Sequence, residues 1–219
     1  MEVAGYNRDK VNAIGDTINN TYATLVKGLA DKIQAGLVDP MSTKWYAPEA
    51  VDEFKDIQKA VKKMGEAMYD AYKAYRDWVQ QMGENWAANT KGKKPSLKNP
   101  GKKSIDINVS KIQKENGGNV TLDEKGAQAV AATMKQLHSD MLALVRAEHG
   151  KLEASTAFIG HGQAAAATAC FVKVADAIGV LFNLMETLGD RLNEYANKYK
   201  TVGEGIRDQF KSAKIDVQQ

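Results

Sequence analysis

Two stretches of the chain carry the same spacing of apolar residues over four heptads. One starts at Phe54 and the other at Phe171, and in both the apolar residues recur alternately three and four positions apart. The first continues through Ile57, Val61, Met64, Met68, Ala71, Tyr75, Trp78 and Met82, and the second through Val174, Ile178, Leu181, Met185, Leu188, Leu192, Tyr195 and Tyr199. Because this spacing places the side chains on one face of a helix, each stretch predicts a long helix that buries that face against a partner.

Start and stop signals in the first part of the chain predict two helices. The first runs from Asn7, which suits an N-cap, to Val38, and we expect Pro40 to end it. The second begins at Pro48, a residue that suits the first helical position, and runs to Trp86. The predicted break between them is short, so the two helices should lie side by side.

The last part of the chain repeats this pattern. Thr121 and Glu124 have the spacing of a capping box, which predicts a third helix from there to Ala157. The sequence FIGHG interrupts the helical pattern, and a fourth helix is predicted from Gln163 to Lys211. The chain therefore reads as helix, aromatic turn, helix, then a linker, then the same order again.

Residues 87–120 differ in composition, since lysine, glycine, asparagine and proline replace the helical pattern. Within this linker, apolar and polar residues alternate in SIDINV, and NGG separates that stretch from NVTL. The alternation predicts a small β-hairpin built on Ile105, Ile107, Val109 and Val120.

The predicted fold class is all-α, which agrees with a composition of only 4 prolines and few β-branched clusters. We expect two long antiparallel helical hairpins that form an elongated four-helix bundle, with the small β-hairpin in the central linker. Residues 1–86 would form the first hairpin, 87–120 the linker and 121–219 the second hairpin.

Each predicted hairpin turn carries an aromatic residue, Trp45 in WYA at 45–47 and Phe158 in FIG at 158–160. These turns resemble the Trp-x-Gly turn of the WXG family of type VII (ESX-like) secretion substrates, with Ala47 in place of the glycine and Phe158 in place of the tryptophan. The resemblance implies helical hairpins that pair as four-helix dimers and serve as secreted substrates, partners or targeting modules. A tandem copy would make that bundle within one chain. The family's export signature, a tyrosine followed four positions later by an acid, is not met at Tyr195 or Tyr199.

Two sets of aromatic residues are candidates for interaction. At the turns, a large ring either closes the open end of a hairpin or serves as a docking knob for another protein. The candidate turn and interface residues are Trp45, Tyr46, Phe54, Phe158, Gly160 and Phe171. Along the second helix, the spacing keeps the aromatic side chains from sharing one seam, so they fill the core or meet a partner. The candidate partner-contact residues are Tyr69, Tyr72, Trp78 and Trp86, with Tyr75 in the same run.

The positive charge is concentrated in one segment. The formal net charge is +3, and the segment 91–103 holds six lysines and no acid: Lys91, Lys93, Lys94, Lys98, Lys102 and Lys103. A solvated linker is the simplest interpretation, and contact with an acidic protein surface, lipid headgroups or phosphates is the alternative. We do not expect nucleic-acid binding, because no aromatic residues are interleaved for base stacking.

Few residues suit chemistry. The histidines are His138, His149 and His161, without metal-ligand spacing, and the single cysteine, Cys170, lies among alanines and Phe171. We therefore expect no enzyme activity, no catalytic residue, no metal site and no cofactor. Residues 164–185 approach the length of a membrane span but contain Lys173 and Asp176, each costing about 2.5–3.5 kcal/mol at a bilayer centre, so a bundle helix is expected there.

These features predict a non-enzymatic helical protein that acts through protein–protein assembly or self-association. Its expected role is as a type VII secretion substrate or targeting partner, secreted without a general secretory signal peptide or cytoplasmic before export. The alternative is a structural subunit of a virion or an extracellular filament, because long helices and exposed aromatics also suit polymers built from repeated contacts.

Overall fold

The computed structural model describes residues 5–154, 158–159 and 162–212, and within them the fold is all-α, as predicted. The helices are α1 (Arg8–Ile33), α2 (Asp39–Met41), α3 (Pro48–Thr90), α4 (Glu124–Ala132), α5 (Met134–Glu153), α6 (Gln163–Glu186) and α7 (Leu188–Ser212). The strands, each of two residues, are β1 (Gly5–Tyr6), β2 (Trp45–Tyr46), β3 (Thr121–Leu122) and β4 (Phe158–Ile159).

The helix starts follow from local side-chain chemistry. The side chain of Asn7 accepts hydrogen bonds from the amides of Asp9 and Lys10, as predicted for the N-cap of α1. The predicted capping box at Thr121 is wrong. Asp123 is the N-cap of α4 and accepts from the Gly126 amide at 3.0 Å, because Thr121 is held in strand β3.

Pro40 does not end the first helical segment as expected. A π-helical turn at Gln34–Val38 follows α1 and leads directly into the short helix α2, which contains Pro40. A proline ring normally clashes with the carbonyl four residues before it. The wider π turn shifts that carbonyl, so the helical path continues past the proline to Met41.

Two threonines divide the helices of the second half, which the sequence predicts as continuous. α4 ends and α5 begins around Thr133, and α6 ends and α7 begins around Thr187. The hydroxyl of Thr133 donates to the Val130 carbonyl at 2.7 Å, and the hydroxyl of Thr187 donates to the Leu184 carbonyl at 3.0 Å. Such bonds back to the preceding turn bend helices, and the two bends coincide because α4 packs on α7 and α5 on α6.

The long helices contact one another in antiparallel pairs. α1 lies against α3 and α5, and α6 lies against the same two helices. Leu144 packs over Gly28 and Leu137 over Gly36, so α1 and α5 run in opposite directions. The two heptad series predicted for α3 and for α6 with α7 face this core. All of their members are buried or half-buried.

The linker is an ordered strap and does not form the predicted β-hairpin strands. Residues 91–112, which we call the strap, run along the groove between α1 and α3 in an extended path that ends in a 3-10 turn at Val109–Lys111. Its buried side chains are Pro95, Leu97, Pro100, Ile105, Ile107 and Ile112. Val109 is half-buried and Val120 is 52% exposed. The alternation at Ile105 and Ile107 thus reflects packing on helices, and Asn116 and Asn119 alone form a bridge around Gly117 and Gly118 within the described residues.

Side chains of both helices satisfy the backbone of the strap. The Gln80 amide donates to the Pro95 carbonyl and its oxygen accepts from the Leu97 amide, both at 2.9 Å. The Tyr22 hydroxyl donates to the Lys103 carbonyl at 2.9 Å, and Gln34 accepts from the Asn108 amide at 2.7 Å. A strap without a sheet ladder stays ordered because these side chains replace the missing strand partner.

The short strands link the two halves of the chain reciprocally. β2, at the turn of the first half, pairs antiparallel with β3, which precedes the first helix of the second half. β4, at the turn of the second half, pairs antiparallel with β1, which precedes the first helix of the first half. Each turn is therefore closed by the leading segment of the other half.

Substitution of Gly83 should detach the strap. A Cβ atom at this position would lie 2.5 Å from Cγ of Pro95, and one at Gly65 would lie 3.3 Å from the backbone nitrogen of Ile105. We expect Gly83→Ala to expose the strap, and limited proteolysis with peptide mapping should show cleavage between 91 and 112 several-fold faster than in the wild type.

Gly203→Ala is the matched control, because α7 has open space at Gly203 and gains the same helix propensity of about 1 kcal/mol. Unchanged cleavage in Gly83→Ala would contradict the packing described for Pro95.

Candidate functional site

The aromatic residue of the first turn is buried, and it does not project as a knob. Trp45 is 0% exposed, with its backbone in the β2–β3 pair. Its ring lies 5.2 Å from that of Tyr195 on α7, at an interplanar angle of 44°. Burial raises the pKa of the Tyr199 phenol. The ring therefore closes this end of the molecule against α7.

Charged residues of α3 and α7 surround the Trp45 end. The Tyr199 hydroxyl donates to Oε2 of Glu49 at 3.0 Å, and Nζ of Lys198 lies 3.1 Å from Oε1 of the same carboxylate. Arg191 pairs with Glu53, which is 11% exposed at its side chain. Burial raises the pKa of Glu53, and Arg191 opposes this effect. These contacts hold α7 over the start of α3, where a carboxylate also complements the helix dipole.

The second turn lies at the opposite end of the helices. Phe158 is 4% exposed and its ring meets that of Trp78 edge to face, at 6.0 Å and 85°. Gly162, with φ 71°, precedes α6 in a left-handed conformation that favours glycine. The predicted turn residue Gly160 and the histidine His161 lie outside the described residues.

The other predicted turn residues separate into different environments. Phe54 is fully buried in the core, six residues after the start of α3. Phe171 is half-buried and packs on the ring of His149 at 5.2 Å. Tyr46 is half-buried, and its backbone pairs with Thr121. The structure therefore places Trp45 and Tyr46 at one end of the molecule and Phe158 at the other, so the five predicted turn residues that the structure describes form no single site.

The aromatic run of α3 divides into two intrachain clusters. Tyr69 and Tyr72 lie on Tyr22, with ring centroids 6.0 and 5.8 Å away, beside the strap. Tyr75 stacks with Trp78 at 6.5 Å and 11°, next to Phe158. Tyr72 and Tyr75 are buried, whereas Tyr69, Trp78 and Trp86 are half-buried. Burial raises the pKa of Tyr75 to about 12. Most of the ring surface therefore serves packing within the chain.

All seven lysines of the strap are exposed: the predicted Lys91, Lys93, Lys94, Lys98, Lys102 and Lys103, and also Lys111. Nζ of Lys102 lies 5.9 Å above the ring of Tyr69. Because the buried side chains of the strap alternate with these lysines, the positive charges are presented on an ordered support along one side of the molecule.

An apolar surface that the sequence analysis did not predict lies between α3 and α6. Two neighbouring cavities of about 360 and 500 Å³ occupy this α3/α6 groove. Its α6 wall is formed by Ala165, Ala166, Ala169, Cys170, Lys173, Ala177, Val180 and Leu184. Its α3 wall combines apolar residues, Ala60, Met64, Ala67, Ala71, Ala74, Tyr75 and Trp78, with the charged residues Asp56, Lys59 and Lys63. Val180 is 70% exposed, the highest value among the large exposed apolar residues of the described chain. The alanine-rich stretch at 164–169 is the feature of the sequence that corresponds to this groove, because small side chains leave space beside a helix.

α6 is unusually apolar for a helix with so much exposed surface. By length and composition alone, one described helical stretch, Gln163–Ile206, is long and apolar enough to cross a membrane, and only 28% of its most apolar window is buried. Lys173 and Asp176 are exposed in the middle of this surface and form no ion pair within the described residues.

Buried polar groups lie between α5 and α6. His149 is 4% exposed, and neither ring nitrogen has a hydrogen-bond partner among the described residues. Burial lowers the pKa of His149, and Glu153, 3.7 Å from Nε2, opposes that shift. Burial also raises the pKa of the Cys170 thiol to about 12, so this cysteine is unreactive at neutral pH. Within the described residues, no group of three or more His, Cys, Asp or Glu side chains is arranged to hold a metal ion.

Comparisons of the chain with protein-family models, with curated proteins and with solved structures found no match.

Replacing Trp45 by alanine should destabilise the fold. The ring is fully buried against α7, and removing a buried aromatic typically costs about 3–5 kcal/mol. We expect a lower free energy of unfolding in urea for Trp45→Ala, a smaller loss for Trp45→Phe, and no change in mass by light scattering. A change in mass at unchanged stability would instead indicate a docking role for the ring.

The free energy of unfolding should decrease as the pH is lowered, because His149 is buried. Its pKa is lowered in the folded state, so between that pKa and the ordinary value of about 6.5 the unfolded chain binds the proton more tightly. The free energy of unfolding should therefore decrease as pH falls below about 6.5, by up to about 1.4 kcal/mol per pH unit.

Urea titrations at several pH values measure this slope. In His149→Gln, the free energy of unfolding should depend less on pH below pH 7. In His138→Gln, the pH dependence should be the same as in the wild type, because the buried His149 is still present. An unchanged slope in His149→Gln would assign the acid sensitivity to other groups.

Proposed function

We propose that this protein is a non-enzymatic helical assembly protein built from two WXG-like hairpins that form a four-helix bundle within one chain. We further propose that it is a substrate or targeting partner of a type VII secretion machinery. Residues 1–86 and 121–219 are the two hairpins, and the strap is an addition to the first.

The reciprocal pairing of the short strands carries this proposal. Each half has the same order of parts: a two-residue strand, an N-cap residue, a first helical segment, a second strand at the turn, and a second helical segment. The turn strand of each half pairs with the leading strand of the other. This exchange relates the halves as two equivalent units, which is what two paired copies of a hairpin would produce.

The aromatic turn residues support the resemblance to WXG hairpins. Trp45 and Phe158 occupy equivalent places in the two halves, each in its turn strand and each buried against the second helical segment of the other half. A ring at the tip of a hairpin seals the end of the core, and its burial stabilises the pairing of the two hairpins. The motif residues therefore have the same physical task in both halves.

Export is the direct test. In a host with a type VII system, the tagged chain should accumulate in the culture medium when the membrane ATPase of that system is active and stay in the cells when it is inactivated. A cytoplasmic marker protein controls for lysis. Retention in cells that export their native substrates would contradict the secretion role.

The turn motif can be tested in the same assay with a pair of substitutions. Phe158→Trp restores the family's residue and should keep or increase export, whereas Phe158→Ala removes the buried ring and should reduce it. Equal export of both folded variants would mean that the ring plays no part in recognition.

The alternative function, a structural subunit of a virion or filament, is favoured by one observation, the exposed apolar surface of α6. A filament requires contacts that do not close. Light scattering across a concentration series, with X-ray scattering on the same sample, distinguishes the two functions. Mass that grows without limit would favour the structural subunit, and a small discrete particle would favour the secreted protein.

A further inference from the structure

We propose that α6 is the contact of a symmetric homodimer, in which α6 of a second copy lies antiparallel in the α3/α6 groove. This inference rests on the proposed function, because it names the partner for one assembly surface of the same protein. The partner is a second copy of this chain.

The charges on the exposed face of α6 are self-complementary. Lys173 and Asp176 lie in the centre of the exposed apolar surface without ion-pair partners in the described chain. They have opposite sign and lie one turn apart. An antiparallel copy centred between them places Lys173 of each chain beside Asp176 of the other, so one symmetric contact forms two ion pairs.

The side chains of the two α6 helices also match in size in the same register. When Lys173 meets Asp176 of the second copy, Ala169 lies at the level of its Val180 and Ala165 at the level of its Leu184. Each small side chain thus faces a large one, and all four residues line the groove. Helices pack closely where ridges of large side chains enter gaps left by small ones.

α3, which forms the other wall of the groove, leaves room for a helix of the second copy. Alanines at 60, 67, 71 and 74 leave space along α3, and the larger of the two cavities, about 500 Å³, lies between this wall and Val180. In the dimer, α6 of the second copy fills that space with side chains that are exposed in the single chain, above all Val180. Burial of this surface removes apolar area from water in both copies.

A lipid bilayer is the competing occupant of this surface. A membrane would bury Lys173 and Asp176 without a partner, which is costly, whereas the second copy supplies an opposite charge for each. Charge complementarity therefore favours a protein contact, and the register favours an identical chain.

The first experiment is the mass of the full chain in solution by light scattering. We expect a concentration-dependent approach to twice the chain mass of 23.9 kDa and no larger species. Val180→Glu should keep the circular dichroism and melting temperature of the wild type and remain a monomer. Val120→Glu, at a valine that is 52% exposed away from the groove, is the matched control and should still dimerise.

Charge reversal tests the register. Lys173→Glu or Asp176→Lys alone places like charges together at two points and should weaken the dimer about tenfold or more. The double variant Lys173→Glu with Asp176→Lys restores both pairs and should recover dimerisation. A double variant as weak as the single ones would overturn the proposed register.

Disulfide cross-linking tests the direction. In a Cys170→Ala background, a mixture of Ala169→Cys and Val180→Cys chains should form a cross-linked dimer under mild oxidation. Each variant alone should not, because equivalent positions in an antiparallel pair are about 16 Å apart along the axis and a disulfide requires Cα atoms within about 7 Å. Cross-linking of the single variants alone would indicate a parallel pair and overturn the proposal.

Flotation with anionic and neutral vesicles completes the test. A wild-type chain that stays monomeric to millimolar concentration, or that binds vesicles through Val180, overturns the homodimer. These results are separable from the export assay, since a wild-type chain that is exported but stays monomeric would refute only this contact, and a chain that dimerises but is not exported would refute only the secretion role.

Discussion

The rest of the structure depends on the closure of each helical turn by residues of the other half. β2 at the Trp45 turn pairs with β3, and β4 at the Phe158 turn pairs with β1. A pair of two-residue strands is too short to be stable by itself. Each pair persists because one of its residues is a buried aromatic. Trp45 is covered by α7, and Phe158 is covered by α3. Backbone pairing and aromatic burial therefore stabilise each other, and they tie together segments that are at least 75 residues apart.

The helices and their buried faces could be predicted from the sequence because their causes are local. Asn7 is followed by the residues it caps, and the heptad series from Phe54 lies on one face whatever the partner is. The strap could not be predicted in the same way. Ile105 and Ile107 alternate with polar residues as a strand would, but their partners are Gly65 and the helix surfaces of a distant segment. Alternation of apolar and polar residues indicates that one side of a segment is buried, but it does not indicate which element covers that side.

The candidate interaction surfaces show the same limit. The sequence left open whether Trp45 closes its hairpin or contacts another protein, because it does not show that α7 from the other half covers the ring. The alanines of α6 look like ordinary core residues, but the half of the helix that carries Ala165, Ala169 and Val180 faces outward. In both cases the missing information was which helix packs on which, and no local pattern contains it.

The two halves of the chain pack more closely where α1 meets α5 than where α3 meets α6. This difference leaves the open α3/α6 groove. On one side, Gly28 of α1 and Gly36 of the π-helical turn contact Leu144 and Leu137 of α5, so the helices approach closely and leave little room. On the other, α3 and α6 contact along their length but present alanines at their outer edges, with cavities between them. The strap fills the α1/α3 groove and runs away from this surface. An apolar groove of this kind stays exposed to water at a free-energy cost, and the self-complementary order of Lys173, Asp176, Ala169 and Val180 is what allows the same chain to remove that cost by pairing with itself.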